Sequence, residues 1–332
     1  MSIPSREEDW YFLEIDLEAE SPLLLDIELS GTPNINSKLC LLNSNLQTLG
    51  YSDSNEIGSG ELLKEIGITL SGTYYIIVTS NYESNNDIPY RLLVTSRFYD
   101  YTSEIEPNNS PDESNIIIES DTTGRIYPDG DRDYYRQNIT DKAELFKIEV
   151  IPPENLDIKI ELIGIDNNKL LEVNNYGKGE KEIIPNAHIS NDFFIVVSAG
   201  RGEQNIDFTY NLSVSSIPFQ DNFEVEPNDS KELATIINVK TINGFISKKG
   251  DIDYYYLEYN KRVNKRFTIK GIKDSELKIS ITDSLGYIIK SKNIRGEQTE
   301  SLTEMIDKKG YIIVESLSDN YEDPYSIDIG EK

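Results

Sequence analysis

The sequence predicts an all-β protein built from three tandem antiparallel β-sandwich domains of a jelly-roll-like type. Short segments with alternating apolar and polar residues recur at close spacing along the 332 residues, which is typical of sandwiches and barrels. A repeat sets the number of units: Glu104 and Glu224 open the same motif 120 residues apart, and Asp131 and Asp251 are also 120 residues apart. A period of this length leaves each unit large enough for its own core.

The repeat predicts domains at 1–98, 99–218 and 219–332. In the second and third units a Glu-x-Glu-Pro-Asn motif precedes a Gly-Asp-x-Asp-Tyr-Tyr motif by the same 27 residues, counted from Glu104 to Asp131 and from Glu224 to Asp251. The first unit begins near Asp9, which takes the place of Asp133, and lacks the linker motif at its N-terminus.

Each unit contains the same order of period-two segments, for which 156–162 is the clearest example, apolar on one side and charged on the other. Helical periodicity is confined to 62–66 and 231–237, where we expect a turn or two of helix. Strands are predicted at 23–29, 38–42, 72–78, 90–95, 143–150, 156–162, 193–198, 207–214, 277–281, 310–314 and 325–329.

The net charge of −27 argues against a nucleic-acid partner, because phosphate binding requires clustered lysine and arginine. Bound divalent cations would relieve part of the self-repulsion, whereas the simpler interpretation is that the acidity only maintains solubility. Cys40 is the only cysteine, so no intrachain disulfide can form. No apolar run reaches the length of a membrane span. The first residues lack signal-peptide character, so if the protein is exported we expect this sequence to be a fragment or a truncated recombinant form.

The acidic motifs predict an oxygen-ligand site for a cation. Residues i and i+2 of an extended segment point to one side, so Glu224 and Glu226 can converge on one ion, and Asp251 and Asp253 form a second such pair. A bend at Pro227 brings the neighbouring Asn228 and Asp229 towards them. Carboxylates with an amide oxygen suit Ca2+ better than Mg2+, and the scarcity of Cys and His disfavours zinc and copper. The alternative is a linker turn with solvated loop acids.

The order of these motifs, followed by Gly-x-Tyr-x-x-x-Val and a final Tyr-x-Leu or Tyr-x-Ile strand, resembles the bacterial pre-peptidase C-terminal (PPC) domain. This module is similar to the collagen-binding domains of clostridial collagenases. The resemblance is fullest in the third unit, and over the three copies it covers nearly the whole chain.

The resemblance implies a β-sandwich that, in calcium-binding members, holds the ion between the linker acids and the later aspartates. Because Asn109 replaces an acid in the second unit, we expect a lower affinity there. We expect no complete site in the first unit. The implied ligands are Glu224, Glu226, Asn228, Asp229, Asp251 and Asp253 in the third unit, and Glu104, Glu106, Asn108, Asn109, Asp131 and Asp133 in the second.

No enzymatic activity is expected. The only histidine, His188, lies in a polar segment, and the sequence contains no nucleophile elbow, phosphate loop or zinc-protease motif. The aromatic runs, such as Tyr254–Tyr256, are interpreted as core and sheet-covering residues in preference to a ligand-binding face.

The sequence therefore predicts a non-catalytic, secreted or cell-surface protein, stabilised by calcium at its domain junctions. It would serve as a binding, adhesion or accessory module of a larger secreted protein, with a protein or polysaccharide partner. The alternative is a structural subunit that self-assembles through its sandwich faces into a stalk, sheath or filament.

Overall fold

The structure is a computed structural model. It describes residues 8–17, 22–54, 56–81, 87–117, 121–139, 144–189, 191–217, 221–248, 250–318 and 322–331. In these ranges the chain forms mainly antiparallel β-sheets and one short 3-10 helix, Pro111–Glu113. The predicted all-β fold class is confirmed. Among the described residues no helix has the length and apolar character that crossing a membrane requires.

The N-terminal strands form two sheets that enclose one core. One sheet has the order β1-β6-β3-β4 and the other β5-β2-β7. Alternation along the strands points Ile27, Leu39 and Ile76 inward, and all three are fully buried. We call this the first sandwich. Its strands are β1 (Asp9–Ile15), β2 (Leu23–Leu29), β3 (Ser37–Leu42), β4 (Thr48–Ser52), β5 (Glu61–Ile68), β6 (Gly72–Ser80) and β7 (Leu92–Phe98).

The middle of the chain adds β8 to β16. Strand β11 pairs with β14 and β16, and β12 pairs with β13 and β15, all antiparallel. The strands are β8 (Asn115–Ile116), β9 (Asp121–Gly124), β10 (Arg132–Gln137), β11 (Glu144–Ile151), β12 (Ile158–Gly164), β13 (Lys169–Val173), β14 (Glu182–Ile189), β15 (Phe193–Ala199) and β16 (Tyr210–Ile217).

The C-terminal strands form the third sandwich, with sheets of order β17-β19-β24-β21-β22 and β18-β25-β20-β23. Phe267, Ile279 and Tyr325 lie at the centre of its core. Its strands are β17 (Thr235–Ile236), β18 (Thr241–Gly244), β19 (Ile252–Glu258), β20 (Val263–Lys270), β21 (Glu276–Asp283), β22 (Ile288–Arg295), β23 (Thr299–Ile306), β24 (Lys309–Ser316) and β25 (Tyr325–Glu331).

By density of contacts the chain forms two compact units. The first comprises Met1–Tyr135 with Gln204–Thr209, and the second comprises Arg136–Glu203 with Tyr210–Lys332. The boundaries of three domains, at 1–98, 99–218 and 219–332, stay a prediction.

The expected helical turns at 62–66 and 231–237 are wrong. Residues 62–66 lie in β5, which pairs with β2 through a bulge where Leu25 faces Ile66 and Ile27 faces Leu63. Because a bulge inserts extra residues, it places Leu63 and Ile66 on the core side at a spacing that resembles a helix. Glu65 in the bulge has a φ of 55°. In 231–237 the chain makes a turn and then β17, which pairs in parallel with β19.

Candidate metal centres

Two extended segments carry the Glu-x-Glu-Pro-Asn motifs, and we call them the first arm (Glu104–Asn108) and the second arm (Glu224–Asn228). In the first unit the first arm lies parallel to the edge strand β5, where Gly67 N–H donates to the carbonyl of Glu106 at 2.7 Å. Glu106 N–H donates to the carbonyl of Glu65 at 3.0 Å. A Cβ at Gly67 would lie 1.9 Å from Ile105 Cγ2, so this approach requires glycine.

The second arm contacts β14 in the same way within the second unit, where Glu226 forms a parallel bridge with Ala187. The Glu106–Pro107 and Glu226–Pro227 bonds are both cis. Each arm is therefore attached to the edge strand of the sheet that precedes it in sequence.

Each arm brings two glutamates against an aspartate of the following strand. One carboxylate oxygen each from Glu104, Glu106 and Asp133 lie within 4.8 Å of one another. Glu224, Glu226 and Asp253 form the corresponding triad. Either triad could hold a metal ion. We name the surroundings the 104 site (Glu104, Glu106, Asn108, Asp131, Asp133) and the 224 site (Glu224, Glu226, Asn228, Asp251, Asp253).

In the 224 site, Glu224 is fixed by donors from several strands. Its Oε2 accepts from the Tyr255 hydroxyl at 2.5 Å and from Asn228 Nδ2 at 3.2 Å, and its Oε1 accepts from Phe245 N–H. Asn186 Nδ2, from β14, lies 3.4 Å from Oε1. The carboxylate that opens the motif is thus oriented before any ion binds.

The two aspartates of the 224 site are also oriented through one oxygen each. Tyr325 donates its hydroxyl to Asp253 Oδ2. Ser247 donates its N–H to Asp251 Oδ2 at 2.6 Å and its hydroxyl to the same oxygen at 3.1 Å. In both aspartates the other oxygen, Oδ1, is left for a different partner.

Four buried oxygens of the 224 site have no hydrogen-bond donor in the described structure: Glu226 Oε1, Asn228 Oδ1, Asp251 Oδ1 and Asp253 Oδ1. All four side chains are at most 1% exposed. Buried acceptors without a partner carry a desolvation cost of about 1–3 kcal/mol each, and more for charged groups. A cation held by the triad would give Glu226 and Asp253 the partner that these oxygens lack.

The 104 site repeats this arrangement with fewer unsatisfied atoms. Glu104 accepts from Arg125 N–H at 2.6 Å, from the Tyr135 hydroxyl at 3.2 Å and from Asn108 Nδ2 at 3.3 Å. Asp131 accepts from Tyr127 N–H at 2.8 Å and from Arg132 N–H at 3.0 Å. The buried Oδ1 of Asn108 has no hydrogen-bond donor among the described residues.

Burial and mutual repulsion disfavour charge in both sites. Loss of hydration, followed by the charge of Asp131, raises the pKa of Glu106 to about 8. Loss of hydration also raises the pKa of Asp131 to about 7, of Glu224 to about 7 and of Asp251 to about 6. A cation at either site would reverse this effect and keep the carboxylates ionised.

The two remaining predicted ligands, Asn109 and Asp229, belong to neither the 104 site nor the 224 site. Asn109 is exposed, and its Oδ1 accepts from Arg132 N–H at 3.3 Å. Asp229 is half-buried and pairs with Lys248 Nζ at 2.9 Å. Burial opposes the charge of Lys248, but the bond to Asp229 and the nearby carboxylates hold the pKa of its ammonium group above the ordinary value.

Sequence reasoning missed the residues that orient these sites. Tyr255 and Tyr325 donate to the carboxylates, Lys248 neutralises Asp229, and Asn186 reaches Glu224 from the preceding sheet. A signal for Tyr255 was present, since a tyrosine follows Asp9, Asp133 and Asp253 by two residues. Its complete burial agrees with the interpretation of the aromatic runs as core residues.

The first sandwich keeps part of the same arrangement. Tyr90 donates its hydroxyl to Asp9 Oδ2 at 2.7 Å and is hydrogen-bonded to the Tyr11 hydroxyl. Asp9, Tyr11 and Tyr90 thus correspond to Asp253, Tyr255 and Tyr325 of the third sandwich. The side chain of His188 lies outside the described side chains.

No protein-family model matches the chain, and no curated protein matches it. Among solved structures, the PBSX exported protein XepA is similar at 12% identity over 63% of this chain and 85% of that chain, with a TM-score of 0.24. A putative secreted protein from Eubacterium rectale has 10% identity over 63% and 73%, with a TM-score of 0.24. A triple jelly-roll protein of an archaeal virus has 12% identity over 99% and 84%, with a TM-score of 0.26. At these TM-scores the similarities carry no functional inference.

Proposed function

We propose that this chain is a non-catalytic tandem β-sandwich module of a secreted or cell-surface protein, in which calcium fastens each arm to the sandwich on either side. The observation that carries the proposal is the 224 site. There, buried carboxylates converge, and four of the buried oxygens have no hydrogen-bond donor in the part of the chain that the structure describes. An ensemble of this kind is costly unless protons or a cation neutralise it.

The donor set favours calcium over other metals. Every available atom is a carboxylate or amide oxygen, as Ca2+ prefers, and neither histidine nor cysteine contributes. Ca2+ takes six to eight such ligands in irregular geometry. Glu226, Asn228, Asp251 and Asp253 would each supply one oxygen, and the oriented Glu224 carboxylate completes the protein's share. Mg2+ would have to give up the waters that it normally retains.

An ion at either site would act on the connection between sheets. Glu106 is paired with β5 through its backbone and contributes to the triad through its side chain. Glu226 does the same with β14. One ion therefore links an edge strand, an arm and the next Asp-x-Asp strand. This restricts the arm and protects it from proteolysis, as extracellular modules require.

The resemblance to PPC domains supports an accessory role, in which the chain positions or attaches a larger secreted protein on a protein or polysaccharide. The acidic surface, with a net charge of −27, supports a soluble extracellular setting and disfavours nucleic acid. The absence of an enzymatic motif in the sequence supports a non-catalytic role.

Metal analysis and calorimetry test the proposal. Protein purified without chelator is expected to contain two calcium ions per chain, and EDTA is expected to lower Tm and increase protease cleavage at the arms. Saturation at 100 times Kd stabilises the folded state by about 2.7 kcal/mol per site. As matched controls, the exposed acids Glu28 and Glu297 are replaced by Gln, which should leave calcium binding unchanged. Absence of bound calcium together with an unchanged Tm in EDTA would refute the proposal.

A further inference from the structure

The first sandwich is open along two edges that are covered in the third sandwich. In the third sandwich β17 pairs with β19 and β18 pairs with β25. The equivalent strands of the first sandwich, β1 and β7, are sheet edges in the described part of the chain, with β1 pairing only with β6 and β7 only with β2. Open edges of this kind are ready to pair with another strand.

The correspondence between the two sandwiches holds residue by residue. Asp9 faces Val78 across its sheet, as Asp253 faces Val314. The hydroxyls of Tyr11 and Tyr90 meet beside Asp9, as those of Tyr255 and Tyr325 meet beside Asp253. The first sandwich therefore retains counterparts of Asp253, Tyr255 and Tyr325, whereas the position equivalent to Asp251 falls on residue 7, outside the described residues.

The core of the first sandwich is incomplete at these edges. Tyr11 and Leu92 are only half-buried, whereas their equivalents Tyr255 and Ile327 are completely buried. In the third sandwich the segment with β18 contributes Ile242 and Ile246 to the core, both at most 1% exposed. No described residue takes these two places in the first sandwich.

Large apolar side chains are exposed beside the same edges. On β1, Trp10 is 49% and Phe12 is 66% exposed, and on β7, Leu93 is 37% and Phe98 is 67% exposed. Exposed apolar side chains on strands with an unpaired edge are typical of an interaction surface. Leu93 is notable because the equivalent residue in the third sandwich, Asp328, is acidic and accepts from Thr241 of β18.

We propose that the groove between β1 and β7 binds an extended acidic segment of a partner polypeptide, which adds a strand to β7 and shares a cation with Asp9. The third sandwich defines the chemistry of this partner. By analogy with residues 224–246, the partner segment carries a Glu-x-Glu-Pro-Asn arm, followed by two isoleucines four residues apart. Strand addition depends only on the edges and the apolar groove. The shared cation rests on the function proposed above.

A synthetic peptide with the sequence of residues 221–247 tests this inference on the full chain. Trp10, the only tryptophan, lies on the edge strand β1 next to Asp9 and reports on binding at that edge. The peptide is expected to change Trp10 fluorescence with saturation at one peptide per chain and to protect the backbone amides of β7 from exchange. Calcium is expected to tighten binding tenfold or more relative to EDTA.

Two variants of the peptide separate the contributions. Replacing the residues equivalent to Ile242 and Ile246 with Asn should weaken binding at least tenfold with or without calcium. Replacing those equivalent to Glu224 and Glu226 with Gln should remove only the calcium-dependent gain. In the protein, Asp9→Asn should have the same effect as the second peptide, with an unchanged far-UV spectrum as evidence of folding.

The absence of saturable binding, or equal binding of the Asn-substituted peptide, would overturn the inference. So would a dimer of the chain in which Trp10 is already shielded and which the peptide does not dissociate, because the occupant would then be a second copy. Binding that calcium does not tighten, in protein that holds two calcium ions elsewhere, would refute the cation at Asp9 and leave the proposed function standing. If no calcium binds at all, the proposed function fails. Peptide binding measured in EDTA then decides by itself whether a strand is added to β7.

Discussion

The 104 site and the 224 site use the same motif with different degrees of burial. Glu226 is 1% exposed, whereas its equivalent Glu106 is only half-buried. Both oxygens of Asp131 accept hydrogen bonds from backbone N–H groups, whereas one oxygen of Asp251 has no donor within the described ranges. The 224 site therefore has more to gain from an ion, and we expect it to bind calcium more tightly than the 104 site.

The comparison also changes the reason for expecting a weaker second-unit site. The sequence attributes the difference to Asn109, which stands where the third unit has Asp229. In the structure the charge of Asp229 is paired with Lys248, so its net contribution to the ion is small. What distinguishes the sites is the burial and hydrogen bonding of the shared ligands. The replacement of an acid by Asn109 at the outer edge of the 104 site is expected to change calcium affinity less.

The largest expected effect comes from neutralising the second glutamate of each arm. Glu226→Gln should weaken the tighter calcium site by about a hundredfold, in the range found when metal-site ligands or their supports are lost. Glu106→Gln should affect only the weaker site. Two-phase calorimetric titration of both variants measures this, with Glu28→Gln as the control. Loss of the tight phase in Glu106→Gln would reverse the proposed ranking.

A pH series gives the next largest effect. Because the folded pKa values of Glu106 (about 8), Asp131 (about 7) and Glu224 (about 7) exceed their ordinary values, the folded state binds more protons than the unfolded state. In EDTA, this contribution to stability should be fully present below about pH 4, the range of the ordinary carboxyl pKa values, and should be lost as the pH rises to 8. The affinity of the protein for calcium should rise over the same pH range. Melting curves at pH 5 and pH 8 are expected to differ by about 5 °C or more in EDTA.

A metal-free protein that became more stable from pH 5 to pH 8 would contradict these pKa directions. As a control, the pH series is repeated with Glu226→Gln, which should be less sensitive to pH because one of the buried carboxyl groups no longer titrates.

The smallest expected effect on calcium affinity comes from the rim of the two sites, where Asn109 and Asp229 lie. Lys248→Met frees the charge of Asp229 and should tighten the 224 site about threefold to tenfold, as a screened charge near the surface allows. Asn109→Asp adds the missing acid to the 104 site and should tighten it by a similar factor. Calcium titrations of both variants check this. If Asn109→Asp alone made the two sites equal, rim charge would be the main difference and burial the lesser one.

The sequence predicted the fold class and the members of both triads because each depends on local patterns. Alternation within single strands indicates sheets, and the spacing within the arm and within Asp-x-Asp places carboxylates on one side. The helical turns expected in 62–66 failed because a bulge at Glu65 imitates helical spacing. The pattern of residues within one strand does not show which strand it pairs with or where that pairing has a bulge.

The residues that orient the sites could not be predicted for the same reason. Tyr325 reaches the second arm from 101 residues away, and Asn186 reaches Glu224 from 38 residues away. Docking of an arm on the preceding edge strand leaves almost no trace in the sequence. Gly67 in β5 is the exception, and its requirement becomes visible only once Ile105 is placed beside it.

The close approach of Gly67 to Ile105 has a consequence for the way such chains can be recombined. A chimera joined at the linker, near residue 99, would bring a foreign edge strand to the arm, and any side chain at that position would collide with the isoleucine. A cut upstream of β5 would keep both halves of the contact together. The segment that must be kept in one piece is therefore offset from the sequence repeat, because it begins at β5, inside the preceding sandwich.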